Sequence, residues 1–531
     1  MVRYQGKVSV HNASIPLAAE VAKLPQAKNF IDEHIFSNLK ELGIPPSPPC
    51  DDSTFLRRVT LDIAGRLPRE AETEAFLANS DEDRREQVIE ALLRSPDYAD
   101  YFANKWTTLL KNRRDGRSDI TSNFAFHAWL RDSLLANRPY DQITRELLAA
   151  TGTVIANPAV AWYKRVKEPQ AQIEDIAQLF LGVRMQCAQC HHHPFERWSQ
   201  DDYYGLAAFF SQVGRKPTAV PGEDLIFHQR GMAGSKNIKT GETILPSALG
   251  DDVGPIGVDE DPRLKLADWM GSEDNPYFAK ALVNRYWKHF FSRGLIEPED
   301  DIRESNPPTN PALLAALEQH FVDSGYDLKE LVRAITSSRA YQLSAVPNAH
   351  NLVDRQNYSR FYPKRLQAEV LLDSIDDLAG SHTNFANLPA GTRAVALPDN
   401  SYNQSTSFLK VFGRPENSSV CECERVQSAS LAQSLHFLNA ADIKAKLAFA
   451  GGRVDRLIKA KVAPEAQVRE LYRAAFSREP APDELATALA YLAEPRRDAD
   501  DQPLEATRAA RENLQDLLWA LTNTKEFLFN H

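Results

Sequence analysis

Residues 51–68 read Asp51-Asp52-Ser53-Thr54-Phe55-Leu56-Arg57-Arg58-Val59-Thr60-Leu61-Asp62-Ile63-Ala64-Gly65-Arg66-Leu67-Pro68, and this stretch indicates the kind of fold to expect. Asp51, Asp52 and Ser53 supply N-cap residues, and Phe55, Leu56, Val59, Leu61 and Ile63 continue as a helix. Gly65 ends it. Pro68 then opens a second helix near its first position, with Glu70 and Glu72 placed where carboxylates meet the positive end of the helix dipole. The same punctuation extends in both directions. Upstream, Phe30, Ile31, His34, Ile35 and Leu39 have helical spacing, and Pro45, Pro46, Pro48 and Pro49 stop it. Downstream, helices are predicted at about 82–94, 98–112, 122–137, 140–150 and 170–185, then at about 263–292, 310–323, 327–340 and 363–380.

The unit recurs near the other end. Leu471 to Pro480 followed by Glu484 mirrors Leu61 to Pro68 followed by Glu72, and both units close on an aromatic helix end, at Tyr98 and Phe527. A third such ending runs from Ile335 to Tyr341. These are read as repeated helical hairpins, whose plain role is packing. Two stretches break the pattern. Residues 214–262 are rich in Gly and Pro with short alternating pieces such as Asp224 to His228, which predicts a loop or small β excursion. Residues 383–428 form a long irregular loop, and loops of that length usually carry function. The expected fold is mainly α, an assembly of helical hairpins with long irregular loops. Its expected parts are a tail or short edge strand over 1–27, a helical domain over 28–213, the 214–262 insertion, and a second helical domain over 263–531.

Composition narrows the function. The chain has 531 residues, 43% hydrophobic and 25% charged, which suits a folded protein with a sizeable core. Its net charge of −10, with no Lys/Arg-rich block, disfavours nucleic acid as a partner. No apolar run approaches the length of a membrane span, so no integral membrane segment is expected. Met1 to Gly6 lacks the apolar run of a signal peptide, which leaves a cytoplasmic protein or a sequence that begins after a removed signal. Five cysteines are too few for a disulfide scaffold, yet four fall into tight pairs, Cys187/Cys190 and Cys421/Cys423.

The first pair carries the chemistry. Cys187-Ala188-Gln189-Cys190-His191 is a C-x-x-C-H motif, the attachment signature of c-type haem. Two thiols one turn apart can both add to the haem vinyl groups, and the adjacent histidine then lies beneath the ring as proximal iron ligand. Cys187 and Cys190 are thus the expected anchors and His191 the expected ligand, and the motif argues for export. Met185 is too close to reach the opposite face; Met232, Met270, His228, His289 and His436 are the long-range candidates for a sixth ligand. A five-coordinate iron would suit catalysis better than simple electron transfer.

Other readings stay open. The pair can be half of a zinc or non-haem iron site completed by Cys421 and Cys423, or by His192 or His193. It can be a redox dithiol, although the βαβ setting of thioredoxin-like proteins is missing. Cys421 and Cys423, at i and i+2, are not expected to pair readily with each other. His193, fixed beside Pro194, is a catalytic candidate, as are Asp300, Asp301 and Arg303. Adjacent carboxylates bind a cation or move a proton, but an exposed pair capping a turn is commoner, and Arg303 and Asn306 would satisfy such a turn. Trp198, Tyr203 and Tyr204 are candidates for stacking on a sugar or covering a haem edge, with core packing the commoner role.

Several separate motifs resemble one family. They are Phe55 to Pro68; Ala177 to His191 with His193-Pro194-Phe195 and Asp202-Tyr203-Tyr204; and Gly294 to Pro298 through Asp300 to Arg303 and Ser305 to Pro308. Pro363 to Leu366 with Glu369, and Arg414-Pro415 through Cys421 to Arg425 and Leu435 to Asn439, complete the set. Together they resemble the planctomycete cytochrome-associated proteins of unknown function, in which a cytochrome-named domain precedes a PSD-type domain. The resemblance covers nearly the whole chain from about residue 28. It implies export to the periplasm or cell surface, often beside sulfatases and glycan-degrading enzymes. A full cytochrome module, carried by some relatives, is not among these residues, which leaves 187–191 as the expected haem site. The expected function is a haem c oxidoreductase or electron-transfer component linked to polysaccharide breakdown, working with a redox partner protein or a glycan-derived substrate. The alternatives are a non-haem metal protein with a structural or hydrolytic role, and a helical interaction scaffold without chemistry.

Overall fold

Asp51 caps the helix Asp52–Ala64: its carboxylate accepts the Thr54 N–H at 2.7 Å. Gly65 closes the helix in the left-handed region at φ 61°, where an added Cβ would stand 2.6 Å from the Tyr101 ring. Pro68 lies just ahead of the next helix, Glu70–Ala78, and Arg69 is its cap residue, with its N–H held by Glu72 at 2.8 Å. The structure is a computed structural model that describes residues 2–4, 7–10, 13–17, 19–21, 23–425, 433, 436 and 441–531.

Among the described residues there are 22 α-helices, and strands occur only in four antiparallel pairs. The protein is therefore mainly α. Val213–Pro217 pairs with Asp224–His228 and Ser235–Lys236 with Thr243–Ile244, so the Gly/Pro-rich insertion does make a small β excursion. Val2–Tyr4 pairs with Lys7–Ser9 in the amino-terminal tail. Lys364–Arg365 pairs with Phe529–Asn530, which draws the last residues against the middle of the chain.

Three helices depart from the expected bounds for local reasons. The helix expected to reach 185 stops as Pro169–Phe180, because Gly182 turns at φ 67°. The stretch 263–292 divides into Pro262–Met270 and Phe278–Phe291; Gly271 ends the first, and the Asn275 side chain accepts the N–H groups of Tyr277 and Phe278 at the start of the second. Residues 364–365 are strand, and the helix that follows is Ala368–Ala379. The irregular stretch from 383 holds only 3-10 turns and the short helix Ser407–Val411; its last residues, 426–428, lie outside the described residues. Of the Leu435–Asn439 motif, only His436 lies inside them.

A continuous apolar core joins the two halves of the chain. Phe102, on helix Pro96–Leu109, stacks on Tyr286 of helix Phe278–Phe291, with ring centroids 5.5 Å apart. Tyr140 stacks on Phe278 at 4.8 Å. Every residue from Phe55 to Ala64 is buried, including Arg57, Arg58 and Asp62. The buried guanidinium groups satisfy carbonyls at the other end of the chain: Arg57 donates to Phe527 and Phe529 at 3.0 Å, and Arg58 to His531 at 3.1 Å.

Candidate functional site

The cysteine–histidine motif sits in a loop pinned from below. At Gly182 the chain runs against Ile302, so closely that a Cβ would meet the Ile302 side chain at 2.5 Å. The Ile302 N–H donates to the Gly182 carbonyl at 2.8 Å. Beside this contact Asp300, fully buried, accepts from Gln178 and Arg184, both at 2.5 Å. Asp300 is thus a tie between the motif's stem and the 299–303 turn, not half of an exposed acidic pair. Asp301 pairs with Arg303 at 3.1 Å, and its carbonyl accepts from Asn306 at 3.0 Å, so these two residues do satisfy the turn.

Above the stem, Gln186–Gln189 forms one 3-10 turn. Cys187 and Cys190 are both unpaired and exposed. The back of the turn is fixed, since the Gln189 carbonyl accepts from Gln200 at 3.0 Å and from Tyr204 at 3.2 Å. Tyr203 and Tyr204 are buried on helix Gln200–Ala208 and so act as wall rather than as a stacking platform. His191 is exposed, and its Nδ1 lies 2.7 Å from the His192 carbonyl. A ring nitrogen facing a carbonyl carries the proton, which leaves Nε2 as the free lone pair of His191. His192 is exposed. His193 is buried; its N–H donates to the Trp198 carbonyl at 2.9 Å, and its Nδ1 accepts the Phe195 N–H at 3.3 Å. Burial, then the nearby Arg303 charge, holds the His193 pKa below the usual histidine range.

Residues 195–198 wall a cavity of about 410 Å³, closed on its other sides by Tyr277, Ile302, Arg303 and Leu314 among others. Phe195 stands at its mouth, 62% exposed. Glu196 faces into it, and burial raises its carboxyl to about 7 despite the Arg303 charge; Asp301 and Glu304 add to the rise. None of the long-range sixth-ligand candidates lines this cavity. Met232 is exposed and Met270 buried in the core, while His289 is bound elsewhere.

The second cysteine pair is in a different state. Cys421 and Cys423 are bonded to each other, contrary to the expectation from their spacing. The turn Glu422–Glu424 bends the backbone until their Cα atoms are 5.1 Å apart, within the range a disulfide spans. Among the described residues no group of three or more His, Cys, Asp and Glu side chains is gathered to hold a metal ion. The alternative ligand set Cys187, Cys190, Cys421 and Cys423 is therefore not assembled.

A second cluster lies where the chain's two halves meet, and sequence reasoning did not single it out. A small cavity of about 50 Å³ is lined by Asp62, Lys105, Lys288, His289, Lys364 and Glu422, among others. Lys364 pairs with Asp62 at 2.6 Å, Lys288 with Glu299 at 2.5 Å, and Lys105 faces Glu422 at 3.7 Å. His289 donates from Nε2 to the Asp62 carbonyl at 2.8 Å, so its Nδ1, 3.0 Å from the Lys105 ammonium, is the acceptor. Burial lowers the pKa of Lys105 and Lys364 and carries that of His289 well below the usual range. Burial alone would raise the Glu422 carboxyl, but Lys105, Arg285 and Lys288 outweigh it and hold it at about 2. Beneath it, Arg425 grips Glu369 at 2.6 and 3.0 Å. One signal for this cluster was legible: Asp62 stands among Val59, Leu61, Ile63 and Ala64 on a buried stretch of helix, and a charge is buried only where partners await it.

Fold and site thus define a mainly helical protein, with a cysteine–histidine loop in the first half of the chain and a buried charged seam where the two halves meet. Residues 30–215 match the PSCyt2 model, described as a protein of unknown function (DUF1549), and residues 262–492 match PSD1, a protein of unknown function (DUF1553). The chain belongs to the cytochrome-associated family in which these two domains follow one another. No curated protein and no solved structure matches it. Among the described residues, no helix is long and apolar enough to cross a membrane.

Proposed function

We propose that the protein is a redox component that carries haem c on Cys187 and Cys190, with His191 as the iron's proximal ligand. The observation that carries this reading is the state of the motif's three donors. Both thiols are unpaired, outward and one turn apart. The His191 Nδ1 is committed to the His192 carbonyl, which leaves Nε2 free to serve as an iron ligand. The donor set therefore fits the group. When bound, haem supplies a one-electron iron couple whose potential follows its axial ligands and burial.

The chain's own part is to hold the turn still. Gln200 and Tyr204 anchor it from behind, and the Gly182–Ile302 contact anchors it from below. The work proposed is electron transfer or oxidation in the periplasm or at the cell surface, with a redox partner protein or a glycan-derived substrate. The visible spectrum of protein made with a cytochrome c maturation system, read as its pyridine haemochrome, tests this. A c-type haemochrome band in stoichiometric amount is expected; colourless protein contradicts it.

A further inference from the structure

The cavity beside the motif holds two buried polar atoms of opposite character with nothing to bind. Glu196 Oε1 and Arg303 Nε each have no hydrogen-bond partner among the described residues. They face each other at 4.0 Å, too far apart for a hydrogen bond between them. A buried donor or acceptor left unmade costs about 1–3 kcal/mol, so the pair is a place where a ligand gains binding energy.

The chemistry of the pair selects the ligand. Above about pH 7, where Glu196 is ionised, its carboxylate only accepts, and a guanidinium only donates. A ligand carboxylate would meet Arg303 well but repel Glu196, and an ammonium would do the reverse. A hydroxyl does both: its oxygen accepts from Arg303 while its hydrogen is donated to Glu196, at about 2.8 Å from each. The rest of the wall mixes an apolar and aromatic part, with Trp198, Tyr277 and Ile302 inside and Phe195 at the mouth, and a polar part that includes Lys280, Asn306 and Glu318. At about 410 Å³ the space lies within the range of small-molecule sites, about 300–1,000 Å³.

From these observations we infer that the cavity binds an uncharged, polyhydroxylated ring compound, a saccharide unit, with one hydroxyl bridging Glu196 and Arg303 and an apolar ring face towards the aromatic wall. This deepens the glycan-derived substrate of the reading above but needs no haem, so the two fail separately.

Isothermal titration of the full chain at about pH 8.5, where Glu196 is ionised, with methyl β-D-glucopyranoside, methyl α-D-mannopyranoside, maltose and cellobiose tests it, with sodium acetate and butylamine as charged controls. At least one glycoside is expected to bind saturably, and neither control. Glu196→Leu and Arg303→Met should each weaken that binding about tenfold or more, whereas Glu196→Gln, which keeps an acceptor, should retain most of it. Should Glu196→Leu fail to fold, Arg303→Met carries the same test from the opposite side of the bridge. The inference is overturned if no glycoside binds below about 50 mM, if acetate binds as well as the sugars, or if a folded Arg303→Met variant binds unchanged.

Discussion

Arg66 holds Glu72 through two parallel hydrogen bonds of 2.7 Å, closing the hairpin between helices Asp52–Ala64 and Glu70–Ala78. Its Nε reaches on to Asp97 at 2.6 Å, at the start of helix Pro96–Leu109. Far along the chain Arg478 repeats the clasp, with Glu484 at 2.7 and 2.9 Å and Glu526 at 2.7 Å. The two hairpins share a charged latch as well as a helical pattern.

The latches differ in burial, and that sets their worth. The Arg66 side chain is 3% exposed and Arg478 is 29% exposed. Removing a partner from a buried charge costs more than removing one from a solvated charge. Glu72→Gln should lower stability by about 1–3 kcal/mol, and Glu484→Gln by about 1 kcal/mol or less. Urea melts of both variants check the order; equal losses would place the two latches on the same footing.

The buried seam predicts a pH dependence. His289 is neutral in the fold because burial, then the Lys105 and Lys364 charges, hold its pKa well below the ordinary 6.5. The unfolded chain protonates near 6.5, so below that pH it takes up a proton the folded state refuses. Stability should therefore fall as pH drops from 7 to 5, by up to about 1.4 kcal/mol per unit for each such group. Burial also carries His127 down to about 4, so it adds to the same slope. Urea unfolding at pH 7, 6 and 5 should show a shallower slope in His289→Gln than in the parent.

Gly182 should not tolerate a side chain. Its φ of 67° disfavours any residue with a Cβ, and the Ile302 side chain occupies the space. Gly182→Ala should cost about 1–3 kcal/mol and loosen the motif from the 299–303 turn. Hydrogen exchange at the Ile302 N–H, which bonds the Gly182 carbonyl, reads that loosening directly.

Much of the fold was legible in local chemistry, because Asp51, Gly65 and the prolines act on their own neighbours. What escaped was set by distant partners. The break at 271–277 depends on Asn275 capping the helix that follows, within a pattern whose apolar spacing runs on as though unbroken. Asp300 looked like an exposed acid, but Gln178 and Arg184, more than a hundred residues away, bury and satisfy it. The cysteines and His191 announced themselves by spacing. Glu196 and Lys105 did not, since a lone carboxylate or ammonium means nothing until a cavity forms round it.

The motif's residues should fail in a set order. His191→Ala removes the axial imidazole while both anchors remain, so covalent porphyrin should persist with a displaced Soret band. Cys187→Ala removes one anchor and should leave a weakened, single attachment. His192→Ala should leave both intact, since its side chain is exposed and has no part in the donor set. Spectra of the three variants check this order, and damage in His192→Ala equal to that in His191→Ala would reassign the ligand.

The most direct measurement is the mass of one peptide. Trypsin cutting after Arg184 and Arg197 releases Met185 to Arg197, which contains Cys187, Cys190 and His191. From protein matured in a host that attaches haem c, this peptide is expected to carry the mass of one haem, with neither thiol open to alkylation. The same peptide without the haem mass, with both thiols alkylated, would contradict the proposed function.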